Sequence, residues 1–196
     1  MGRPLADAIA TSSPFRYNHK ETYKTLSAMR RRHFIIIALL VLQACTNSYP
    51  IYSNKYPVSF SCDTSMPPFN GIHTLGYFIS VRQRPAKDGY TVYTNTGMAY
   101  EHPLTEVQSR VFSYGLAGLI IGSPWHAEGE VFAYDLGCPQ CDKPSARLTV
   151  DTTPYARCSR CGTQYELNNN GYATNGGHPL LRYPVTRNGN ILMVHN

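Results

Sequence analysis

Two short cysteine motifs constrain this chain more than any other feature of its sequence. Cys138 and Cys141 belong to the motif CPQC, and Cys158 and Cys161 belong to the motif CSRC, with sixteen residues between the two pairs. A C-x2-C turn directs two thiolates toward one point, and a hairpin that joins two such turns completes a tetrahedron of sulfur. The four cysteines are therefore predicted to bind a metal ion.

Zn²⁺ is the first expectation for this ion, because four thiolates in a tetrahedron are typical of structural zinc sites. A single iron ion takes the same geometry, so the ligand spacing does not separate iron from zinc. An all-cysteine [2Fe-2S] cluster is a third possibility, although two symmetric turns converge on one point and favour a single ion. Two disulfide bonds are the alternative without metal, because an oxidising compartment joins paired thiols.

A second segment indicates where the protein resides. Arg30, Arg31 and Arg32 precede a nine-residue apolar run at residues 34–42, which is too short to span a bilayer and is typical of a signal peptide. The run ends in the letters LQAC at residues 42–45. This ending resembles the lipobox of bacterial lipoproteins.

The lipobox resemblance implies that residues 29–44 are a signal peptide, that cleavage occurs before Cys45, and that the Cys45 thiol carries a lipid. Several acyl chains anchor a protein durably to a membrane, here facing the periplasm or the exterior of a bacterial cell envelope. Gln43 departs from the small or β-branched residue that usually occupies its position. An ordinary secretory signal and a twin-arginine export signal at Arg31 and Arg32 are the alternatives.

The other segments are assigned from their composition. Residues 1–28 precede a second possible start at Met29 and are predicted to be disordered or to lie outside the true coding region. Residues 45–57 are rich in Ser, Asn, Tyr and Pro and are expected to form a tether. Residues 58–196 are expected to form one β domain, with a metal-binding lobe at about 136–167.

The formal net charge of +6 is of the sign that nucleic-acid-binding proteins carry. Much of the positive charge lies before residue 45, and the remaining sequence has no basic patch interleaved with aromatic residues. Nucleic acid is therefore not expected as a partner. The expected partners are a membrane, through the lipid, and a redox or other protein of the envelope.

Strand signals recur at short intervals after Val58, without a long helix or an internal repeat. Two hairpins are predicted: residues 77–81 with 90–94, and residues 180–185 with 191–195. Residues 105–114 are predicted to form one helical turn capped by Thr105, or a further strand. The predicted fold class is all-β.

The sequence after Gly115 has four features in a fixed order. These are a strand entering a first cysteine loop, a second loop with an aromatic strand, a Gly-rich turn and a terminal hairpin, at residues 133–139, 158–167, 176–180 and 183–192. In this order the sequence resembles the Rieske-type ferredoxin domain. The resemblance implies an all-β fold, as a partly closed barrel or sandwich with a small metal-binding lobe. It also implies a role in electron transfer.

The ligands depart from the Rieske pattern, in which histidines bind one of the two irons. Cys161 stands at the histidine position of the second loop, and neither loop contains a histidine. The resemblance therefore implies a lobe with the ligand set of a rubredoxin knuckle or a zinc ribbon. His126 and His178 are expected to be ordinary loop residues, and Cys62 is expected to be a buried thiol rather than a fifth ligand.

Two functions are compatible with these features. With iron, the protein is expected to be an envelope lipoprotein that transfers electrons. With zinc, it is expected to be a structural or interaction lipoprotein without redox activity. An enzyme is the least favoured function, because the sequence has no readable carboxylate pair and no G-x-S-x-G, H-E-x-x-H or P-loop motif.

Replacing Cys45 with alanine is expected to release the protein from the membrane fraction, because the variant has no thiol at residue 45 to carry the lipid. Cell fractionation followed by a salt wash of the membranes measures this release. Ser48→Ala is the matched control and should stay with the membranes. A Cys45→Ala protein that still sediments with washed membranes would exclude lipidation at this position.

Overall fold

Antiparallel β-sheets form the framework of residues 51–196, the part of the chain that this computed structural model describes. The strands are β1 (Val58–Asp63), β2 (Phe78–Gln83), β3 (Gly89–Tyr93), β4 (Ala99–Pro103), β5 (Ser113–Tyr114), β6 (Leu119–Gly122), β7 (Phe132–Asp135), β8 (Leu148–Val150), β9 (Tyr155–Cys158), β10 (Gln164–Glu166), β11 (Tyr172–Ala173), β12 (Arg182–Tyr183), β13 (Val185–Asn188) and β14 (Ile191–His195). A 3-10 turn covers Phe69–His73. The predicted all-β class is confirmed.

The strands form three open sheets, none of which closes into a barrel. The central sheet has six strands in the order β12-β7-β6-β2-β3-β4. The terminal sheet, with the order β13-β14-β1-β5, contains the last strand of the chain, and the cysteine sheet has the order β11-β10-β9-β8.

The middle of the central sheet is buried on both of its faces. Every residue of β6 and β7 is buried, which explains why β6 is continuously apolar instead of alternating with polar residues. Successive side chains of a strand point to opposite faces, so Leu119 and Ile121 join one hydrophobic core and Ile120 joins another. The central sheet therefore separates two cores.

The first core lies between the central sheet and the terminal sheet. Phe60 of β1 and Val194 of β14 are register partners, and both are buried in this core with Val81 of β2. The Phe60 ring meets the Tyr90 ring edge-on, with 5.4 Å between the ring centroids, a favourable aromatic geometry. This core joins the beginning of the domain to its C-terminal strand.

The second core lies between the central sheet and the cysteine sheet. Leu148 and Ala156 of the cysteine sheet are buried together with Phe78 and Tyr134 of the central sheet. The Tyr134 hydroxyl donates a hydrogen bond to the Leu167 carbonyl oxygen at 3.1 Å, so a buried polar group is satisfied between the two layers. The cysteine sheet is thus fixed by packing on the central sheet.

The predicted first hairpin is confirmed, because β2 and β3 are antiparallel partners. At the C-terminus, β13 and β14 form the hairpin, but the prediction that residues 180–185 make one continuous strand of it is wrong. The strand β12 (Arg182–Tyr183) pairs with β7 of the central sheet instead. Pro184, which has no N–H to continue a ladder, stands where the chain changes sheets.

The segment at residues 105–114 contains both of the alternatives that its sequence suggests. The α-helix α1 (Glu106–Val111) begins after Thr105, and the strand β5 follows it. The Thr105 side chain accepts from the N–H of Gln108, whose side chain accepts from the N–H of Thr105. This capping box satisfies backbone donors at the helix start.

A buried carboxylate connects the central sheet to the loop before β6 and to the first cysteine motif. Asp135 accepts from the N–H groups of Leu116 and Gly137, each at 2.6 Å, and from the Tyr183 hydroxyl at 2.7 Å. Burial raises the pKa of Asp135, while hydrogen bonds from these three donors act in the opposite direction. Since Gly137 directly precedes Cys138, the carboxylate also orients the entry to that motif.

Within residues 51–196, no helix combines the length and the apolar character needed to cross a lipid bilayer. Cys45 and the predicted signal peptide at residues 29–44 lie outside the described residues, as does the segment 1–28. Their assignments stay predictions from the sequence.

Replacing Asp135 with asparagine is expected to lower the free energy of unfolding by about 2 kcal/mol or more, because an amide NH2 would face buried donors. Tyr183→Phe is the matched comparison and should cost about 1 kcal/mol, since it removes only one donor. Urea denaturation at constant metal content measures both. A smaller loss for Asp135→Asn than for Tyr183→Phe would contradict the role given to the carboxylate.

Candidate metal centre

The first cysteine motif forms a tight turn between β7 and β8. The carbonyl oxygen of Cys138 accepts from the N–H of Cys141 at 3.2 Å and from the N–H of Asp142 at 2.9 Å. Asp142 has a left-handed φ of 48°, a conformation that aspartate tolerates better than most residues. Two backbone bonds to one carbonyl oxygen thus hold the two thiols of this motif in one turn.

The second cysteine motif repeats the same turn. The N–H of Gly162 donates to the carbonyl oxygen of Cys158 at 2.9 Å, and Gly162 has a left-handed φ of 75°. Gly162 therefore corresponds to Asp142 of the first turn. Cys158 ends β9 and is the register partner of Leu148 in β8, so the β8–β9 hairpin brings the second turn beside the first.

The four sulfur atoms converge, as the motifs predict. All four Sγ atoms lie within 4.8 Å of one another. The distance is 3.6 Å from Cys138 to Cys161 and 3.9 Å from Cys141 to Cys158. A tetrahedral ion with metal–sulfur bonds of about 2.3 Å holds its sulfurs about 3.8 Å apart. The group can therefore hold one metal ion such as zinc or iron.

The sulfur geometry favours a single ion over the alternatives. All five cysteines among residues 51–196 are free thiols, and a disulfide requires sulfurs only about 2.05 Å apart. A two-iron cluster divides its ligands into two pairs on different irons, which separates the pairs. Here the sulfurs form one compact group in which the short distances join the two motifs.

The centre is closed toward the protein and exposed at one ligand. Cys138 and Cys158 are fully buried and belong to the second core, Cys141 is half-buried, and Cys161 is exposed. Metal binding at these residues is consequently coupled to the packing of the cysteine sheet on the central sheet. A tetrahedron with four protein ligands has no position for a substrate.

Tyr165 is a residue of the centre that the sequence did not indicate. Its hydroxyl oxygen lies 3.3 Å from the Cys138 Sγ, and the side chain is fully buried. Burial raises the pKa of Tyr165, so the group remains a hydroxyl that can donate to a thiolate. Such a donor orients a metal ligand and moderates its negative charge.

The thiols of Cys138, Cys141 and Cys161 differ in acidity. Hydrogen bonds from the Thr163 side chain and backbone lower the pKa of Cys161 to about 6. Burial raises the pKa of Cys138 and raises that of Cys141 to about 12. The thiols with raised pKa values must lose protons to bind a cation, so metal affinity falls as the pH decreases.

The end of the predicted tether contacts the first cysteine turn. The Lys55 ammonium donates to the two carboxylate oxygens of Asp142 at 2.8 and 2.9 Å, and the Tyr56 hydroxyl donates at 2.6 Å. These hydrogen bonds lower the pKa of Asp142. The groups are exposed, so the contact positions the segment rather than stabilising the fold.

The three other residues considered from the sequence lie outside the four-cysteine group. Cys62 is buried in the first core, and burial raises its pKa to about 12, so it is the buried thiol that was predicted. The His126 ring packs edge-on against Phe132, with 6.3 Å between the centroids. His178 lines a cavity of about 360 Å³ together with Pro139 of the first cysteine motif.

No protein-family model matches this chain, and no curated protein matches it. The candidate metal centre therefore rests on the geometry of the chain's own residues. The Rieske-type and lipobox resemblances stay predictions from the sequence.

Replacing Cys138 with serine is expected to lower both the metal content and the melting temperature, because three thiolates remain without their fourth partner. Elemental analysis and a thermal denaturation curve of the purified protein measure the two effects. Cys62→Ser is the control: it changes a buried thiol in the other core and should keep the metal. Unchanged metal content and melting temperature in Cys138→Ser would remove the case for a shared site.

Proposed function

We propose that this protein is a lipid-anchored protein of the bacterial cell envelope in which one structural Zn²⁺ ion fastens the cysteine sheet. The ion is bound by Cys138, Cys141, Cys158 and Cys161. The observation that carries the proposal is the convergence of the four Sγ atoms within 4.8 Å of one another.

A structural role suits an ion with four protein ligands, because such a site has no open position for chemistry. Zinc has no redox chemistry and acts here as a cross-link. It joins the turn that follows β7 of the central sheet to the turn that follows β9 of the cysteine sheet. The remaining surface of the domain then serves an interaction with another envelope component.

Electron transfer is the second candidate, and the exposure of Cys161 favours it. If the ion is iron, an exposed thiolate ligand gives a short route between the ion and a redox partner at the surface. The Rieske-type resemblance after Gly115 supports the same function. Because the ligands are all cysteine, the proposal on this branch is a single iron rather than a histidine-ligated cluster.

The lipid anchor would keep the domain close to a membrane. The N–H of Ser53 donates to the Arg182 carbonyl oxygen at 2.7 Å, so the chain is attached to the domain from that residue onward. Ser53 follows Cys45 by eight positions along the sequence, and an extended chain of eight residue steps reaches at most about 28 Å. A partner of this protein would therefore be met near the membrane surface.

The test is the metal content of full-length protein purified without added metal. About one zinc per chain and no visible absorption are expected, and removal of the zinc by a chelator should lower the melting temperature. About one iron per chain with visible absorption would replace the structural proposal by electron transfer. Protein that binds neither metal, with its cysteines joined in disulfides, would overturn both.

A further inference from the structure

A second candidate site lies away from the four cysteines. A cavity of about 640 Å³ opens between the end of β2, the strand β3 and the loop before β6, a volume typical of sites for small molecules. Its lining includes Arg82, Arg84, Lys87 and Arg147 but no aspartate or glutamate. The lining of the cavity therefore includes, among the described residues, four cationic side chains and no anionic one.

Arg82 is one of the cations that line this cavity. Its guanidinium stacks on the Tyr93 ring, 4.5 Å from the ring centroid, which fixes the plane of the group. Its Nε is buried and has no hydrogen-bond partner among residues 51–196. A buried donor without an acceptor costs free energy, so the group is suited to receive an acceptor from a ligand.

Arg147 provides a second guanidinium from the start of the cysteine sheet. Its Nε donates to the Ala117 carbonyl oxygen at 3.2 Å, which directs the group while its two terminal nitrogens stay available. Burial lowers the pKa of Arg82 and the charge of Arg147 lowers it further, against an opposite contribution from Tyr93. An arginine side chain is not deprotonated in proteins, so two like charges face one cavity.

Among the residues that the structure describes, Arg84 has the carboxylate partners that Arg82 and Arg147 lack. Arg84 forms ion pairs with Asp88 and Glu101, whereas no carboxylate within residues 51–196 forms an ion pair with Arg82 or Arg147. The positive charge of these two residues is left without a counter-charge from the described part of the chain.

We propose that this cavity binds an oxyanion group of a small molecule, a phosphate or a carboxylate, between Arg82 and Arg147. The planar fork of a guanidinium matches both groups by two parallel hydrogen bonds. The cavity is much larger than one such group, so it also accepts the organic part of the ligand. The proposal is independent of the identity of the metal.

The experiment is calorimetric titration of full-length, metal-loaded protein in neutral detergent. The probes are inorganic phosphate, glucuronate and the water-soluble lipid dihexanoylphosphatidylglycerol. Saturable binding of at least one probe is expected, with affinity reduced about tenfold or more in Arg82→Gln and in Arg147→Gln. Arg187→Gln, which removes the same charge from the terminal sheet, should bind like the unchanged protein.

The comparison of probes identifies the source of the anion. Binding of phosphate or glucuronate without the lipid assigns a free metabolite, and binding of the lipid assigns a membrane headgroup. The absence of saturable binding by all three probes would overturn the proposal, and so would an equal loss in Arg187→Gln. Because Arg147 is exposed, its variant keeps the test valid even if Arg82→Gln fails to fold.

The same variants exclude a general salt effect. Phosphate raises the melting temperature of most proteins by exclusion from their surface, and this part of the shift should be equal in all variants. A bound anion adds a shift that grows with its concentration relative to Kd. This added shift in melting temperature is expected in the unchanged protein and in Arg187→Gln. An added shift of the same size in Arg82→Gln and Arg147→Gln would contradict the proposed anion site.

Discussion

Four thiolates cannot share a space in which no two sulfurs are more than 4.8 Å apart unless a cation balances their charge, because like charges at that distance repel strongly. The same constraint bears on the cysteine sheet around these residues. The longest strand of the cysteine sheet has only four residues, and a sheet of such short strands is marginal by itself. Its order therefore depends on packing against the central sheet, and an ion bound by the four cysteines would add a cross-link between the two layers.

The central sheet gives the domain a common support for two different outer layers. One face carries the aromatic core under the terminal sheet, and the other carries the core that includes Cys138 and Cys158. Asp135 links these parts, since its oxygens bond the loop before β6, the strand β12 and the residue before Cys138. A buried carboxylate thus positions the backbone that leads into the first cysteine motif. The turn with Cys161 lies at the surface.

The metal centre and the fold class could be predicted because both depend on local sequence. A C-x2-C motif contains its own turn. The apolar run predicts β6, and Thr105 predicts a helix start, from residues that are adjacent in the sequence. The contact of Lys55 with Asp142 and the hydroxyl of Tyr165 beside Cys138 depend on the tertiary fold, and no local pattern encodes them. The change of sheet at Pro184 was missed for the same reason, because either neighbouring strand suits a short apolar segment.

A metal ion held by the four cysteines would lie beside the second core, and this position has a consequence for the solubility of the protein. Phe78, Ile120 and Tyr134 are covered by the layer that the cysteines hold together. A chain that lost its ion would loosen this cover and present an apolar surface, which promotes aggregation and attack by proteases. Metal supply would in this way decide how much of the protein stays folded.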